Sequence, residues 1–382
     1  PLENVNIIVK ELKQGSITNT KGNFVVSLPE DETIHLKMSH IGYRSQIFTI
    51  EKNNIEQENI FYLTPVPVEI DPVTITATLN RRKISKLPGR AAVISEKEIE
   101  LLPANNTDAL LQGVANVYIN RPWGIFSKGA SVTMRGLPGS SRTLVLLDGA
   151  PMNKAAGGTL NWNFIQTGEV EKIEIVKGPG SALYGNNAMG GVISLSTKKP
   201  EKAIEGKARV FGGSLGTYGS AIDIGGSRKS GDRGYYWNGN AFYRQGDGYY
   251  IEPEETRDEY DSKVSLDEYN LGLEGGYSFD SNNTLGLQYR YYNGTFGTGD
   301  QVYEEDGSWD RYRSHLILGS YKGQAGKYAL QARVYYQLEN FDRQNESMSS
   351  SNKYKLSDTE SVKNDIGIWM NASRTLFRNH LF

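Results

Sequence analysis

The sequence predicts a mostly β chain with three parts in series: a small β-sandwich, a compact α+β unit and about eight long antiparallel strands. Three observations carry that expectation. Of 23 tyrosines, 19 lie beyond residue 200, whereas 12 of the 13 prolines lie at or before it. Proline cannot donate to a β ladder and aromatics suit pleated surfaces, so the C-terminal half favours long hydrogen-bonded strands. That half also alternates apolar and polar residues with period two, and its connections alternate between short and long.

Composition bounds the chemistry. The 382 residues carry 42 Lys+Arg against 44 Asp+Glu and no cysteine. A formal charge of -2 gives no bulk basic field for nucleic acid. Without cysteine there is no thiol catalysis and no Cys-based metal site. The longest apolar runs are as short as Leu144 to Leu147, so no helix of ~20 apolar residues can cross a bilayer. His35, His40, His315 and His380 are scattered over different parts, and neither a metal triad nor a Ser-His-Asp set assembles from local spacing. No catalytic residue, metal site or cofactor is expected.

Residues 1 to 63 read as strands at 5–9, 23–28, 33–40 and 46–50, with a turn at Asn19-Thr20-Lys21-Gly22. The strings GSITNTKGNFVVSLP and LKMSHIGYRSQ resemble the carboxypeptidase-regulatory-like β-sandwich, a non-catalytic module, with its first strand upstream of Pro1. Residues 64 to 80 are a linker holding three prolines and a β-prone run. Val73, Ile75 and Ala77 share one face of that run and Thr74, Thr76 and Thr78 the other. Such a segment can add to the edge of another protein's sheet, or be an ordinary linker.

Residues 81 to 200 form the α+β unit. Ser95-Glu96-Lys97-Glu98 reads as a capping box before a short helix ended by Pro103, and Thr107-Asp108 opens a second helix through Leu111. Strands are expected at 131–135, 144–147, 171–176 and 191–196. The glycine-rich strings between them do not cradle phosphate: Gly178-Pro179-Gly180 lacks a third spaced glycine, and Gly180 to Gly185 is followed by Asn186-Asn187 instead of Lys-Ser/Thr.

Three strings, SVTMRGL (131–137), VLLDGAP (145–151) and VEKIEIVKGPGSALYGNNAMGGVISLSTKKP (170–200), resemble the plug domain of TonB-dependent outer-membrane receptors. The resemblance implies a plug at 81–200 inside a 22-stranded barrel. It also places the TonB box at Asp71, Pro72, Val73, Thr74, Ile75, Thr76 and Ala77, as a strand that adds to TonB. By the same resemblance the loops 121–128 and 152–163 project outward, which makes Trp123, Phe126, Asn153 and Trp162 candidate ligand contacts. Trp123, Phe126 and Trp162 could equally pack the plug against the wall. Arg135, Glu171 and Glu174 are expected as structural or gating charges, paired among polar partners.

The tail tests this independently. Leu271, Leu273, Tyr277 and Phe279 oppose Asn270, Gly272, Glu274 and Ser278; Leu285, Leu287, Tyr289 and Tyr291 oppose Gly286, Gln288 and Arg290. Strands are expected near 204–212, 219–228, 234–245, 266–280, 283–293, 311–322, 326–340 and 361–376, with long loops at 246–265, 294–310 and 341–360. Apolar-out, polar-in strands with one short-turn rim and one long-loop rim are the signature of a transmembrane barrel. Residues 201 to 382 are therefore read as its first strands. The opening at Pro1 and the ending at Phe382, within strand patterns, lead to the expectation of a longer protein.

The function expected is import of a scarce metal complex, such as a ferric siderophore, haem or cobalamin, across a Gram-negative outer membrane. The partners are the TonB complex, the cargo and outer-membrane lipid, with no nucleic acid. A glycan or peptide importer of the same superfamily, or a signal-transducing receptor, is the alternative. Lys177-Gly178-Pro179-Gly180 in place of an aspartate-alanine version of that string argues against the glycan branch.

Overall fold

The computed structural model describes residues 1–381 except 13, 27–32, 41–42, 44, 52–58, 65–72, 75–81, 84–89, 138, 155–156, 350 and 377–379. The chain forms two compact units, Pro1–Pro72 and Val73–Phe382.

The first unit is one antiparallel sheet in the order β2-β1-β3-β4, from β1 (Asn6–Val9), β2 (Gln14–Ile17), β3 (Thr33–Ser39) and β4 (Gln46–Glu51). Ile7 and Val9 of β1 and Ile34, Leu36 and Met38 of β3 put their alternate side chains into one apolar core. Asn19 closes the expected turn, its carboxamide oxygen accepting from Lys21 and Asn23 N–H. One correction falls here. Residues 23–26 form no strand, and residues 27–28 of that expected strand lie outside the described residues. The place beside β1 is taken by Gln14–Ile17, an edge strand too polar to show in an apolar pattern.

In the second unit, β5 (Val73–Thr74) and β6 (Arg82–Lys83) pair antiparallel, and β7 (Arg90–Ile94) enters the plug. Helix α1 (Glu96–Leu101) starts at the Ser95 box, where the Ser95 N–H and hydroxyl both donate to the Glu98 carboxylate at 2.7 Å. The second helix expected at Thr107–Leu111 is present as a 3-10 helix. Tertiary bonds hold that turn: the Thr107 hydroxyl donates to the Ile165 carbonyl, and Arg121 grips Asp108.

Strands β8 (Val117–Asn120) and β9 (Ser131–Met134) form a small pair. β10 (Thr143–Leu147), β11 (Ala150–Pro151), β12 (Val170–Lys177) and β13 (Gly191–Thr197) join β7 in a five-stranded sheet of order β11-β10-β13-β12-β7. A one-turn helix α2 (Ser181–Tyr184) lies between β12 and β13. β10 and β13 are parallel and central, and β10 is buried at every position. That explains the run Leu144 to Leu147, which alternates nothing.

The remaining strands make one antiparallel meander: β14 (Glu205–Gly212), β15 (Tyr218–Ser230), β16 (Arg233–Tyr250), β17 (Lys263–Ser278), β18 (Thr284–Gly297), β19 (Trp309–Ala325), β20 (Tyr328–Met348), β21 (Tyr354–Leu376) and β22 (His380–Leu381). All eight expected strands are present, and the ninth begins. The strands run further than periodicity indicated at the long-loop rim, where the connections shrink to 251–262, 298–308 and 349–353. β21 has 23 residues, against the ~9–11 that a tilted strand needs to cross a bilayer. The surplus is polar, so it carries no apolar alternation to read.

The two faces separate as the pattern requires. Leu273, Ile366 and Met370 are 63%, 76% and 79% exposed on the outward face, while Asn270, Gln288 and Arg290 are buried on the inward one. An apolar face of this extent needs lipid or a partner to cover it. Among the described residues no helix is long and apolar enough to cross a membrane.

Candidate functional site

At the long-loop rim, the plug segment 121–128 is fixed from below. The Arg121 guanidinium donates to both Asp108 carboxylate oxygens (2.8 and 3.1 Å), to the Ser127 carbonyl (2.9 Å) and to the Asn163 side-chain oxygen (2.9 Å). That grip orients Trp123 and Phe126. Phe126 is 2% exposed and packs on Val264, Leu266 and Phe296 of the wall, edge-on to Tyr249 at 5.9 Å. Glycines in β16 make the room. A Cβ at Gly246 would lie 2.8 Å from the Phe126 ring, and one at Gly248 (φ +74°) only 1.5 Å from the Val264 carbonyl oxygen. β16 slips register between Gly246 and Tyr249 at this contact.

Of the four candidate ligand contacts, Trp123 and Phe126 line an open space. Trp123 borders a cavity of about 650 Å³ with Phe211, Phe242, Tyr249 and Arg209. Trp162 is 3% exposed inside the plug core with Leu110 and Leu111. Asn153 is buried, accepting from Val145 N–H (2.7 Å) and donating to the Thr143 and Gly158 carbonyls (3.0 and 3.2 Å). Asn153 and Trp162 therefore do not present themselves to a ligand, contrary to expectation. The loop they belong to folds back on β10, and the backbones of β10 and of the loop consume the Asn153 amide.

The expected charges also separate. Glu174 is fully buried and paired with Lys172 at 2.9 Å. Arg135 is exposed in the turn after β9 at φ 55°, and Glu171 is exposed where the β12–β13 register shifts between Val170 and Lys172. Glu174 is thus buried and paired, and Glu171, though exposed, lines the space between plug and wall, whereas Arg135 lies exposed in its turn.

What the sequence did not reveal is the set of ion pairs joining plug to wall. Arg290 of β18 meets Glu169 of the plug, both almost fully buried. Arg244 of β16 binds Glu268 (2.8 Å from Nε) and reaches the Asn105 carbonyl and Asn106 side chain of the plug at 3.1 and 2.8 Å. Tyr292 donates to the other Glu268 oxygen at 2.8 Å. Lys154 of the plug pairs with Glu339 at 3.1 Å, and Lys128 with the buried Asp310, which Arg343 also holds at 2.6 Å. Charges at inward period-two positions were the available signal, but their partners lie on other elements. Buried charges persist only when paired in this way.

Val73 and Thr74 pair with Lys83 and Arg82 in a two-residue ladder. Asp71, Pro72, Ile75, Thr76 and Ala77 lie outside the described residues.

An α+β plug bonded to the polar face of a meander whose other face is apolar defines the class. The chain carries the plug domain and first barrel strands of a TonB-dependent receptor, a Gram-negative outer-membrane protein, behind a carboxypeptidase-regulatory-like domain. Residues 83–192 match the TonB-dependent Receptor Plug Domain family and residues 1–75 the CarboxypepD_reg-like domain. The chain is 36% identical over 133 residues to the vitamin B12 transporter BtuB of Vibrio vulnificus (strain CMCP6), covering 35% of this chain and 22% of that protein. It is 28% identical over 142 residues to the ferric enterobactin receptor PirA of Pseudomonas aeruginosa, covering 34% of this chain and 19% of that one. In structure it is similar to a mutant of the ferric enterobactin receptor PfeA of P. aeruginosa, with TM-score 0.59 and 17% identity over 81% of this chain and 49% of that one. The siderophore receptor PirA of Acinetobacter baumannii gives TM-score 0.56 and 18% identity over 76% and 46%. The chain thus spans about half the length of these solved relatives.

Proposed function

We propose that the protein takes up a metal complex, of the ferric siderophore, haem or cobalamin kind, across the outer membrane by TonB-driven movement of the plug. One observation carries this reading: an ion-paired plug lies against the polar inner face of membrane-spanning strands, so passage requires the plug to move. Relatives named for vitamin B12 and ferric enterobactin support the cargo class. The long-loop rim is then extracellular, because the first strand leaves a periplasmic plug. Cargo binds there, with Trp123 and the cavity beside it as the plug's contribution. TonB engages residues 71–77 from the periplasm, and no covalent step acts on the cargo.

The test separates binding from transport in cells carrying the full-length receptor, offered ferric siderophores, haem or cobalamin. Strand addition to TonB uses backbone N–H groups, and proline deletes one and fixes φ. Ile75→Pro should abolish import at unchanged cell-surface binding, and Ile75→Val should be nearly silent. Import at the wild-type rate by the proline variant would sink the assignment of 71–77 as the coupling segment.

A further inference from the structure

At the short-turn rim, the plug touches the wall through a turn that the transport reading leaves without a role. Asp148 and Gly149 link β10 to β11 with φ values of 48° and 84°. A non-glycine residue in the left-handed region persists only where its surroundings over-determine it. Here the Asp148 carboxylate accepts from Thr197 N–H (3.0 Å), the Thr197 hydroxyl (2.9 Å) and the Gln288 amide of β18 (3.2 Å). The Asp148 carbonyl accepts from Arg333 Nε of β20 at 3.0 Å. The Arg333 guanidinium lies directly on Gly149, where a Cβ would be 2.5 Å from Nε. Only glycine admits that contact.

These residues line a cavity of about 500 Å³ between plug and wall, which also reaches Glu171, Lys199, Glu274 and Trp369. The turn is held to the wall there by hydrogen bonds, which water can replace. The Gln288 side-chain oxygen is buried in it with no partner. Phe126, by contrast, is held at the other rim by an apolar cluster.

We propose that the Asp148–Gly149 turn, with Gln288 and Arg333 of the wall, is a latch that closes a passage between plug and barrel, and that this cavity is the passage's periplasmic end. Arg333 is the positioning residue: it holds the turn against the wall without touching cargo. The proposal rests on the transporter reading only in needing a plug within a pore.

The test uses the full-length receptor in cells that lack TonB, with vancomycin, too large for porins, as probe. Arg333→Ala should raise vancomycin sensitivity roughly tenfold, the factor that loss of one charge-assisted hydrogen bond gives an opening equilibrium. Gln288→Ala should raise it less, the double variant most, and Arg333→Lys, which keeps a cationic donor, should restore part of the seal. Receptor level and the heat resistance of the barrel, read in the same cells, should not change. If Arg333→Ala assembles poorly, Arg333→Lys and Gln288→Ala decide by the same readout. Unchanged sensitivity in the double variant at a normal receptor level would overturn the latch. Neither cargo nor TonB enters the assay, so that failure leaves the import reading standing, and failed import leaves the latch result standing.

Discussion

Trp123 and Trp162 look alike in sequence, each an aromatic among small residues, yet burial gives them opposite consequences. Trp162 sits in the plug core, where truncation to Ala forfeits both transfer energy and packing, roughly 3–5 kcal/mol. Trp162→Ala should therefore make the plug of the full receptor more susceptible to protease. Trp123→Ala should leave protease resistance unchanged and weaken cargo binding on cells. Among the charges, Glu169→Leu would leave Arg290 buried and alone, a loss of about 3–5 kcal/mol. A lower denaturant midpoint for plug release in Glu169→Leu checks this, and the Glu169→Leu, Arg290→Met pair should recover much of it.

Elements differ in how locally they are specified. Helix α1 was legible because its start is written in four consecutive residues, and the structure closes that box as read. The Ser95 backbone N–H, followed by its hydroxyl, holds the Glu98 carboxyl below its ordinary value of 4.5. A depressed folded value contributes stability that is present above pH 4.5 and is lost as pH falls through the folded value. Amide exchange in 96–101 should accelerate over that interval below pH 4.5, and Glu98→Gln should flatten the dependence. The helix at Thr107–Leu111 was legible but its 3-10 form was not, because that shape follows from bonds to Ile165 and Arg121. Nor was the bulge in β16, since glycines at 246 and 248 read as loop until Phe126 is seen pressing on them.

For the molecule as a whole, the apolar outer face is the largest constraint. Leu271 lies on it, 48% exposed beside Tyr269 and Leu273. Leu271→Arg should destabilise the barrel by about 2–4 kcal/mol if the site is near the bilayer midplane. A reduced share of heat-resistant, outer-membrane-inserted receptor measures that. Leu271→Phe, which stays apolar, should insert normally.

The sequence by itself determined the order of the three parts, the strands of the meander and the face each turns to lipid, because period-two alternation and turn residues are local properties. The tertiary structure alone decided which aromatics are core, which charges are paired and where plug meets wall. Arg290 finds Glu169 more than a hundred residues away, and Arg333 finds the Asp148 carbonyl and lies on Gly149. Such contacts depend on how the plug seats in the barrel, a fit between distant surfaces that no stretch of either carries alone.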